Sequence, residues 1–520
     1  MLKRSYQAGL DMERSRLTLD GDDNKKTGRL TWTLILTCFL CVFGSSIVHG
    51  YSSGVLNAPE FTIQAFYNDT YIYRFQEPIQ KSLLNFLWAL TISVYLAGGM
   101  VGIFTAGYFA DKFGRKRALQ FSHVFAFLAV VLFGISRPTG YFELLIVGRV
   151  IIGFSTGIGS GIVPMYLTES SPKHIRGSLG VLHQLGLTIG ILISQILGLE
   201  ELLGGDELWP VLLIFSAVPG FIVSFFLPFV PESPRYLLIM KKDEEKAKQA
   251  LKSYRGEDHD VRDDIAEMRE EQRQLEDEPP WTMKQLLKAK RLRFPLLLLC
   301  GLQAGQQLSG INVVFYYSTG IFKEAGIPND YVRYATLGTG FINVATTVAA
   351  VYLMEKAGRR PLLLYGMIGM GISAAIITVG LNVKSVAPGI SYLSFVCTLT
   401  FVISFAIGLG PIPLFLGGEL FKQGPRAAAM SFSGMLNWLA NFAVGITFPF
   451  ILAGFKAFTF LPFLAVVGIG AIITFKFVKE TKNKSYEEIA RMYYGKDDVK
   501  EDDEAVDMTE LNESDRKYLE

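Results

Sequence analysis

Five polar side chains crowd one short part of a long apolar run. They are Gln306, Gln307, Ser309, Asn312 and Tyr316, within GLQAGQQLSGINVVFYYSTGIF. No Asp, Glu, Lys or Arg accompanies them. Amides donate and accept hydrogen bonds without carrying charge, and an aromatic ring offers a flat apolar face. That combination suits a neutral solute rich in hydroxyls, such as a sugar. An anion would call for bases in these runs and a cation for acids. Other apolar runs add Gln184, Gln195, Asn343, Asn437, Trp438 and Asn441. Any one of these could instead tie membrane helices together. For so many amides within a turn and a half, solute binding is the better reading. Their spacing does not obviously pair them with one another.

Other chemistries find little support. The five histidines are scattered and the loops hold no catalytic constellation, so the chain is not read as an enzyme. Cys38 and Cys41 form a CxxC inside an apolar run with no second pair, so neither metal nor cofactor is expected. The glycine run GFSTGIGSG from Gly153 follows no strand and reads as close helix packing. With no Walker motif, ATP drive is unsupported.

The polar groups must be carried by membrane helices. Of 520 residues, 50% are hydrophobic and 19% charged, against about 25% charged in soluble domains. The net charge of +2 gives no case for a nucleic-acid partner. A crossing needs about 20 mostly apolar residues. Twelve stretches qualify: 31–55, 83–109, 118–136, 144–166, 178–199, 208–230, 294–321, 334–354, 361–383, 389–416, 427–454 and 457–476. The polar residues 1–30 before the first argue against a cleavable signal. Lys and Arg gather in alternate short loops, at 112–117, 173–176, 356–360 and 422–426. Those loops, both termini and residues 231–293 are therefore expected in the cytoplasm. Asn68-Asp69-Thr70 falls in a long loop on the other side and is the expected glycosylation site. The sequons at Asn483 and Asn512 fall on the cytoplasmic side and should be unused.

The charged loops say nearly the same thing twice. DKFGRKR from Asp111 is answered by EKAGRRP from Glu355. Glu169 and Arg176 in ESSPKHIR have the spacing of Glu419 and Arg426 in ELFKQGPR. PESPRYLL from Pro231 is matched by KETKNKSYEEI from Lys479. The chain thus reads as a cytoplasmic segment 1–30, a six-helix half 31–230, a helical linker 231–293, a second half 294–478 in the same orientation, and an acidic tail 479–520. Arg115, Arg149, Glu169, Arg176, Glu232, Arg235, Glu355, Arg359, Arg360, Glu419 and Arg426 are candidates for a cytoplasmic gate. In such a gate, pairs from both halves meet on closing and part on opening. The bland alternative is topology plus solvated loop charge. Arg149, inside an apolar run, needs a partner; Glu169 or Glu232 is the expected one, with snorkelling as the alternative. Several shared pairs could bias which side is open by a few kcal/mol.

Taken together these motifs resemble the facilitative hexose transporters, the GLUT branch of the sugar porters within the major facilitator superfamily. DKFGRKR, PMYLTESSPKHIRGSLG, PESPRYLL, QQLSGINVVFYYS, EKAGRRP, GPIPLFLGGELFKQGPR and NWLANF correspond in order, from about residue 28 to 490. The resemblance implies an all-α membrane protein with twelve helices in two parallel six-helix repeats, the major facilitator fold. It implies a cytoplasmic helical bundle, which fits the alternating charge at 241–254 and 258–277. By motif, Gln184, Gln306, Gln307, Asn312, Asn343, Glu419, Trp438 and Asn441 are similar to the family's hexose contacts. The implied activity is uniport of hexose across the plasma membrane, D-glucose first and fructose second. The partners are then hexose and the bilayer. Two positions depart from the family pattern. Leu414 follows GPIP where many glucose carriers have Trp, removing an aromatic wall as in the fructose-carrying members, and Lys479 replaces the usual Pro. His49, near the outer end of the first run, leaves a proton-coupled symporter as an alternative, and a sugar sensor on the same fold is another.

Overall fold

The computed structural model describes residues 31–172, 175–277, 281–383, 390–421, 423–482, 484 and 486–494. The side chains of Arg176 and Glu355 lie outside that description. So do residues 1–30, the sequons at Asn483 and Asn512 and the tail from residue 495.

Apolar runs this long have no water to satisfy their backbone, so each closes its own hydrogen bonds as a helix. The first half holds α1 (Trp32–Gly54), α2 (Glu60–Phe75), α3 (Lys81–Phe113), α4 (Arg115–Thr139), α5 (Phe142–Ser170), α6 (Arg176–Leu197) and α7 (Trp209–Phe229). The linker forms α8 (Glu244–Arg255), α9 (Arg262–Asp277) and α10 (Met283–Lys288). The second half holds α11 (Arg293–Leu308), α12 (Ile311–Ala325), α13 (Asn329–Ala357), α14 (Arg359–Val383), α15 (Ile390–Ile407), α16 (Ile412–Leu420), α17 (Gln423–Phe455) and α18 (Leu461–Phe477), with α19 (Tyr486–Tyr494) after it.

Ten helices among the described residues are long and apolar enough to cross a bilayer. The run 294–321 is not one of them, because Gly310 adopts φ +88 and splits it into α11 and α12. Helix α18, 17 residues long, also falls short of that length. Counting these two, the chain makes the twelve crossings of the major facilitator fold.

The linker marks one face of the molecule. Thr31 caps α1, accepting from Leu34 N at 3.3 Å and donating to the linker carbonyl of Tyr254 at 3.1 Å. Arg255 in α8 is buried and donates to the Ser170 and Ser171 carbonyls at 2.7 and 2.9 Å. Trp281 N reaches Gly424 O of the second half at 3.1 Å. The crossings alternate in direction from there, so α5 starts at the face opposite the linker.

Within the first half α3 and α5 touch backbone to backbone. A Cβ at Gly98, Gly153 or Gly157 would lie 2.0 to 2.2 Å from a carbonyl oxygen of the facing helix. The glycine run from Gly153 is thus a packing surface. Between the halves, α3 lies against α17 and α6 against α13. Large apolar side chains such as Phe104, Phe127, Phe341, Ile368 and Phe475 point outward, where lipid rather than water would meet them.

Candidate functional site

The amide run sits at the break between α11 and α12. Its geometry depends on a second break, at Gly410-Pro411-Ile412-Pro413 between α15 and α16. Proline has no N–H, so Pro413 leaves the Leu409 carbonyl without its helical donor. Gln306 Nε2 supplies one, reaching Leu409 O and Gly410 O at 2.6 Å each. Gln306 Oε1 accepts from Asn437 Nδ2 at 2.6 Å and Gln307 Nε2 at 3.3 Å. Asn437 Nδ2 also reaches Gln303 Oε1 at 2.9 Å, and Asn437 Oδ1 accepts from Gln307 at 2.9 Å. Asn312 Nδ2 donates to Gln307 Oε1. The amides therefore do pair with one another, contrary to the expectation from spacing. Three helices contribute, and their relative register is what brings the pairs together. Gln303 was missed, although it precedes Gln306 and Gln307 by one helical turn on the same face.

An aromatic wall stands beside this network. His49 of α1 stacks on Trp438 of α17, centroids 5.4 Å apart and planes within 18°. His183 lies 6.0 Å from His49 and is held by Ser46 Oγ at 2.9 Å. Tyr95 closes the group, 6.4 Å from Trp438. Tyr316 donates to Asn441 Oδ1 at 3.3 Å. Residues of both halves thus converge near the middle of the crossings on hydrogen-bonding groups flanked by rings. Gln184 and Asn343 lie on α6 and α13, the helices that face each other across the seam. Gln195 and Thr339, on the same pair, join the halves at 3.4 Å.

Glu419 is elsewhere. It lies at the linker face, accepting from Arg359 Nη2 at 2.9 Å, and has no contact with the amides. Its place among the expected hexose contacts is corrected on that ground. Arg149 is also misplaced by the sequence reading. Helix α5 starts at the opposite face, so Arg149 is far from Glu169 and Glu232. It is buried there, donating to Ser52 O at 2.6 Å and Thr91 O at 3.3 Å, with its guanidinium 4.5 Å above Tyr95. It belongs to no linker-face gate and does not snorkel.

At the linker face each half repeats one construction. Arg115 donates to Glu169 through Nε and Nη2, both at 2.8 Å. Glu232 accepts from the backbone N–H groups of Arg115 and Lys116 at 3.1 and 3.2 Å. In the second half Arg359 meets Glu419, and Glu480 accepts from Arg359 N and Arg360 N at 3.0 Å each. The glycines of the two phrases, Gly114 and Gly358, have φ +92 and +88 and end one helix so the next can start. A carboxylate at a helix N-terminus meets unsatisfied donors and the positive end of the dipole. These pairs close within each half, rather than between halves. The two caps are not equivalent. Burial pushes the Glu232 carboxyl above its ordinary range, against the pull of the Ser233 and Lys116 N–H groups. Burial acts on Glu480 too, but backbone donors from Arg359, Lys482, Arg360 and Thr481 outweigh it and hold the carboxyl below its range. Arg235 pairs with Glu271 of the linker at 2.8 Å, and Arg426 Nε donates to Phe421 O at 3.1 Å.

Direct ties between the halves gather at the opposite face. Asn57 Nδ2 donates to Ser318 Oγ at 2.7 Å, and Asn57 Oδ1 accepts from Thr319 N at 3.3 Å. Glu200 pairs with Arg333, and Lys323 lies 4.5 Å over the Phe61 ring. None of these was read from the sequence. Asn68 is in α2 rather than a loop; its side chain is half-buried and accepts from Ile79 N at 3.2 Å.

Comparison with known proteins decides the family. The model for "Sugar (and other) transporter" matches residues 37–493. The chain belongs to the sugar transporter family. Facilitated glucose transporter member 1 of Gallus gallus is 45% identical over 462 residues, covering 89% of this chain and 94% of that protein. Facilitated glucose transporter member 5 of Homo sapiens is 41% identical over 472 residues, covering 91% and 94%. Among solved structures, the partially occluded inward-open xylose transporter XylE from E. coli aligns with TM-score 0.71 at 25% identity, covering 88% of this chain and all of that one. XylE as a proton:xylose symporter bound to 6-bromo-6-deoxy-D-glucose gives 0.72 at 25% identity over 89% of this chain. Sugar transporters of this family are not enzymes.

Proposed function

We propose that this chain carries hexose across the plasma membrane by facilitated diffusion, with the linker and both termini in the cytoplasm. The observation that carries the reading is the neutral amide network at the junction of the two breaks, beside Trp438. In the tied arrangement the amides satisfy one another. A sugar offering hydroxyls could take over those bonds one for one, so binding exchanges hydrogen bonds rather than adding them. The net gain from each exchange is small, which suits a site that must release its cargo. A dissociation constant near millimolar corresponds to about −4 kcal/mol. Gln306, Gln307, Asn312, Trp438 and Asn441 are the proposed contacts at this junction, with Gln184 of α6 and Asn343 of α13 as further proposed contacts.

Alternating access needs two faces that open in turn. Here the face opposite the linker is tied through Asn57, Gln195 and Arg333. In the other state, closure at the linker face would bring together the ends held by Arg115–Glu169 and Arg359–Glu419, with Arg176, Glu355 and Arg426 nearby in sequence. Asn68, on the outer face in this orientation, is the proposed glycan acceptor.

The test is uptake of labelled D-glucose and D-fructose into liposomes holding the protein, with and without a proton gradient. Gradient-independent glucose uptake, abolished by Gln306→Ala, is the expected result. Fructose uptake alone would give Leu414 the deciding weight in cargo choice. Uptake that follows the proton gradient would favour the symport chemistry named for XylE. Binding without uptake would favour a sensor.

A further inference from the structure

Among the described residues, one buried carboxyl at the seam opposite the linker takes no part in the ties already described. Glu60 opens α2 and is buried. Its Oε1 accepts from Gln64 Nε2 at 3.1 Å. Its Oε2 is buried and makes no hydrogen bond. That oxygen abuts the second half: a Cβ built on Gly320 of α12 would lie 3.8 Å from it. The indole N–H of Trp88 interacts with the same carboxyl but completes no hydrogen bond. Among the described residues, the charged and titratable groups that act on Glu60 from across the seam are Lys323 and Tyr317 of α12, and Arg333 of α13 stands further along, paired with Glu200. Lys323 is exposed, with its Nζ over Phe61, and Tyr317 donates its hydroxyl to Gly445 O at 3.0 Å. A cavity of about 250 Å³ lined by Phe61, Thr62, Thr319, Lys323 and Arg333 lies at the same seam.

A carboxylate with one oxygen dry and unpaired is costly; a protonated acid in the same place is much less so. Opening the seam separates Glu60 from Gly320 and lets water reach the oxygen. The two states of the seam therefore differ in their affinity for a proton. We propose that Glu60 is a proton-binding group of the outer seam, so that protons hold this face shut and their loss favours opening. Burial raises the carboxyl to about 7 in the closed arrangement, against the pull of Gln64, Trp88 and Lys323. The sign follows from linkage: a group with a raised closed-state value favours closure below its ordinary range, and that preference fades as pH climbs through about 7. Unlike a coupling site at the centre, this group tunes the opening step without having to travel with the cargo. Its consequence for flux rests on the alternating-access reading; the seam itself can be tested without any cargo.

The four native cysteines are all buried, so introduced surface cysteines can be labelled selectively. Glu77 and Tyr331 are exposed on opposite halves at this face. Spin labels at Glu77→Cys and Tyr331→Cys, in the full chain in nanodiscs, report the width of the seam by pulsed resonance. Between pH 5.5 and 8 the ratio of the short to the long distance population is expected to fall at least threefold, with a midpoint near 7. Glu60→Gln should hold the short population at every pH. Lys323→Gln, which removes the cation favouring the anion, should move the midpoint upward. A distribution that ignores pH, or a Glu60→Gln profile that matches the parent, overturns the proposal. If Glu60→Gln does not fold, an unmoved midpoint in Lys323→Gln overturns it instead. Distances that respond to pH in a protein that moves no hexose would sink the transport reading and leave this one standing.

Discussion

Gln306 holds two carbonyls with one nitrogen and two amides with one oxygen. Gln306→Ala would leave Leu409 O and Gly410 O without that donor in a dry setting, at about 1–3 kcal/mol. The expected outcome is a lower unfolding temperature together with loss of hexose uptake, read by thermal denaturation and by flux. Gln306→Glu keeps the shape but adds an acceptor where a donor is required, and should restore neither. Gly99 makes a second test. A Cβ there would lie 2.1 Å from the Trp438 ring, so Gly99→Ala must tilt the indole off His49. Uptake should fall by tenfold or more while Trp438 fluorescence reports a changed environment. At this scale the sequence was informative about chemistry and poor about partners. Residue type singled out the amides that the structure brings together at the two helix breaks. Their mutual bonds depend on how far α11 sits along α17, which no local pattern records. Glu419 and Arg149 were misassigned for a related reason. Both carry charge within an apolar context, but one belongs to an arginine at the linker face and the other to carbonyls at the far face.

The doubled phrase is an element-scale device. In each half a glycine with positive φ ends one helix, and a carboxylate caps the next. An arginine then pins that corner to a third helix. Three helix ends are thus fastened at one point. Removing one member of a buried ion pair typically costs about 3–5 kcal/mol. Glu169→Gln should fall towards the lower end of that range at the well-covered Arg115 pair, measured by thermal denaturation in detergent, because its neutral amide leaves the guanidinium only the exposed Asp111, at 3.5 Å, as a carboxylate partner. The caps should respond differently to acid. Glu480 is held below its ordinary range, so the stability it contributes is present at neutral pH and lost as pH falls through the carboxylate range. Glu232 is pushed above that range, so the strain of its charge is relieved by protonation. At pH 7 Glu480→Gln is expected to lower the unfolding temperature more than Glu232→Gln, and the gap should narrow towards pH 4. Repetition made these positions legible, since two copies at matching intervals rarely arise from topology alone. The assignment of pairs to the interior of each half was not legible, because spacing along the chain is equally compatible with a bridge between halves.

For the molecule as a whole, twelve crossings and their doubling were visible from hydropathy and charge, even though Gly310 splits one crossing and another is short. The ties at the face opposite the linker were not. Asn57, Ser318 and Thr319 are ordinary polar residues near helix ends, and nothing local distinguishes a tie across a seam from a side chain in water. Asn57→Ala removes both of its links to α12. The expected outcome is a larger population open at that face. Pulsed resonance between labels at Glu77→Cys and Tyr331→Cys would read it as a gain in the long distance, and an unchanged distribution would show that these bonds follow closure rather than hold it.

Helices α3 and α5 touch through glycines with carbonyl oxygens where side chains would otherwise stand. Surfaces meshed that closely behave like the threads of a tightened bolt. They resist sliding, and separating them requires clearance along the whole contact at once. The first half should therefore respond to force as one rigid lever, with little motion lost inside it. Displacement at its far end is then delivered almost undiminished to its linker end, and a few weak bonds at one mouth can hold the geometry of the other.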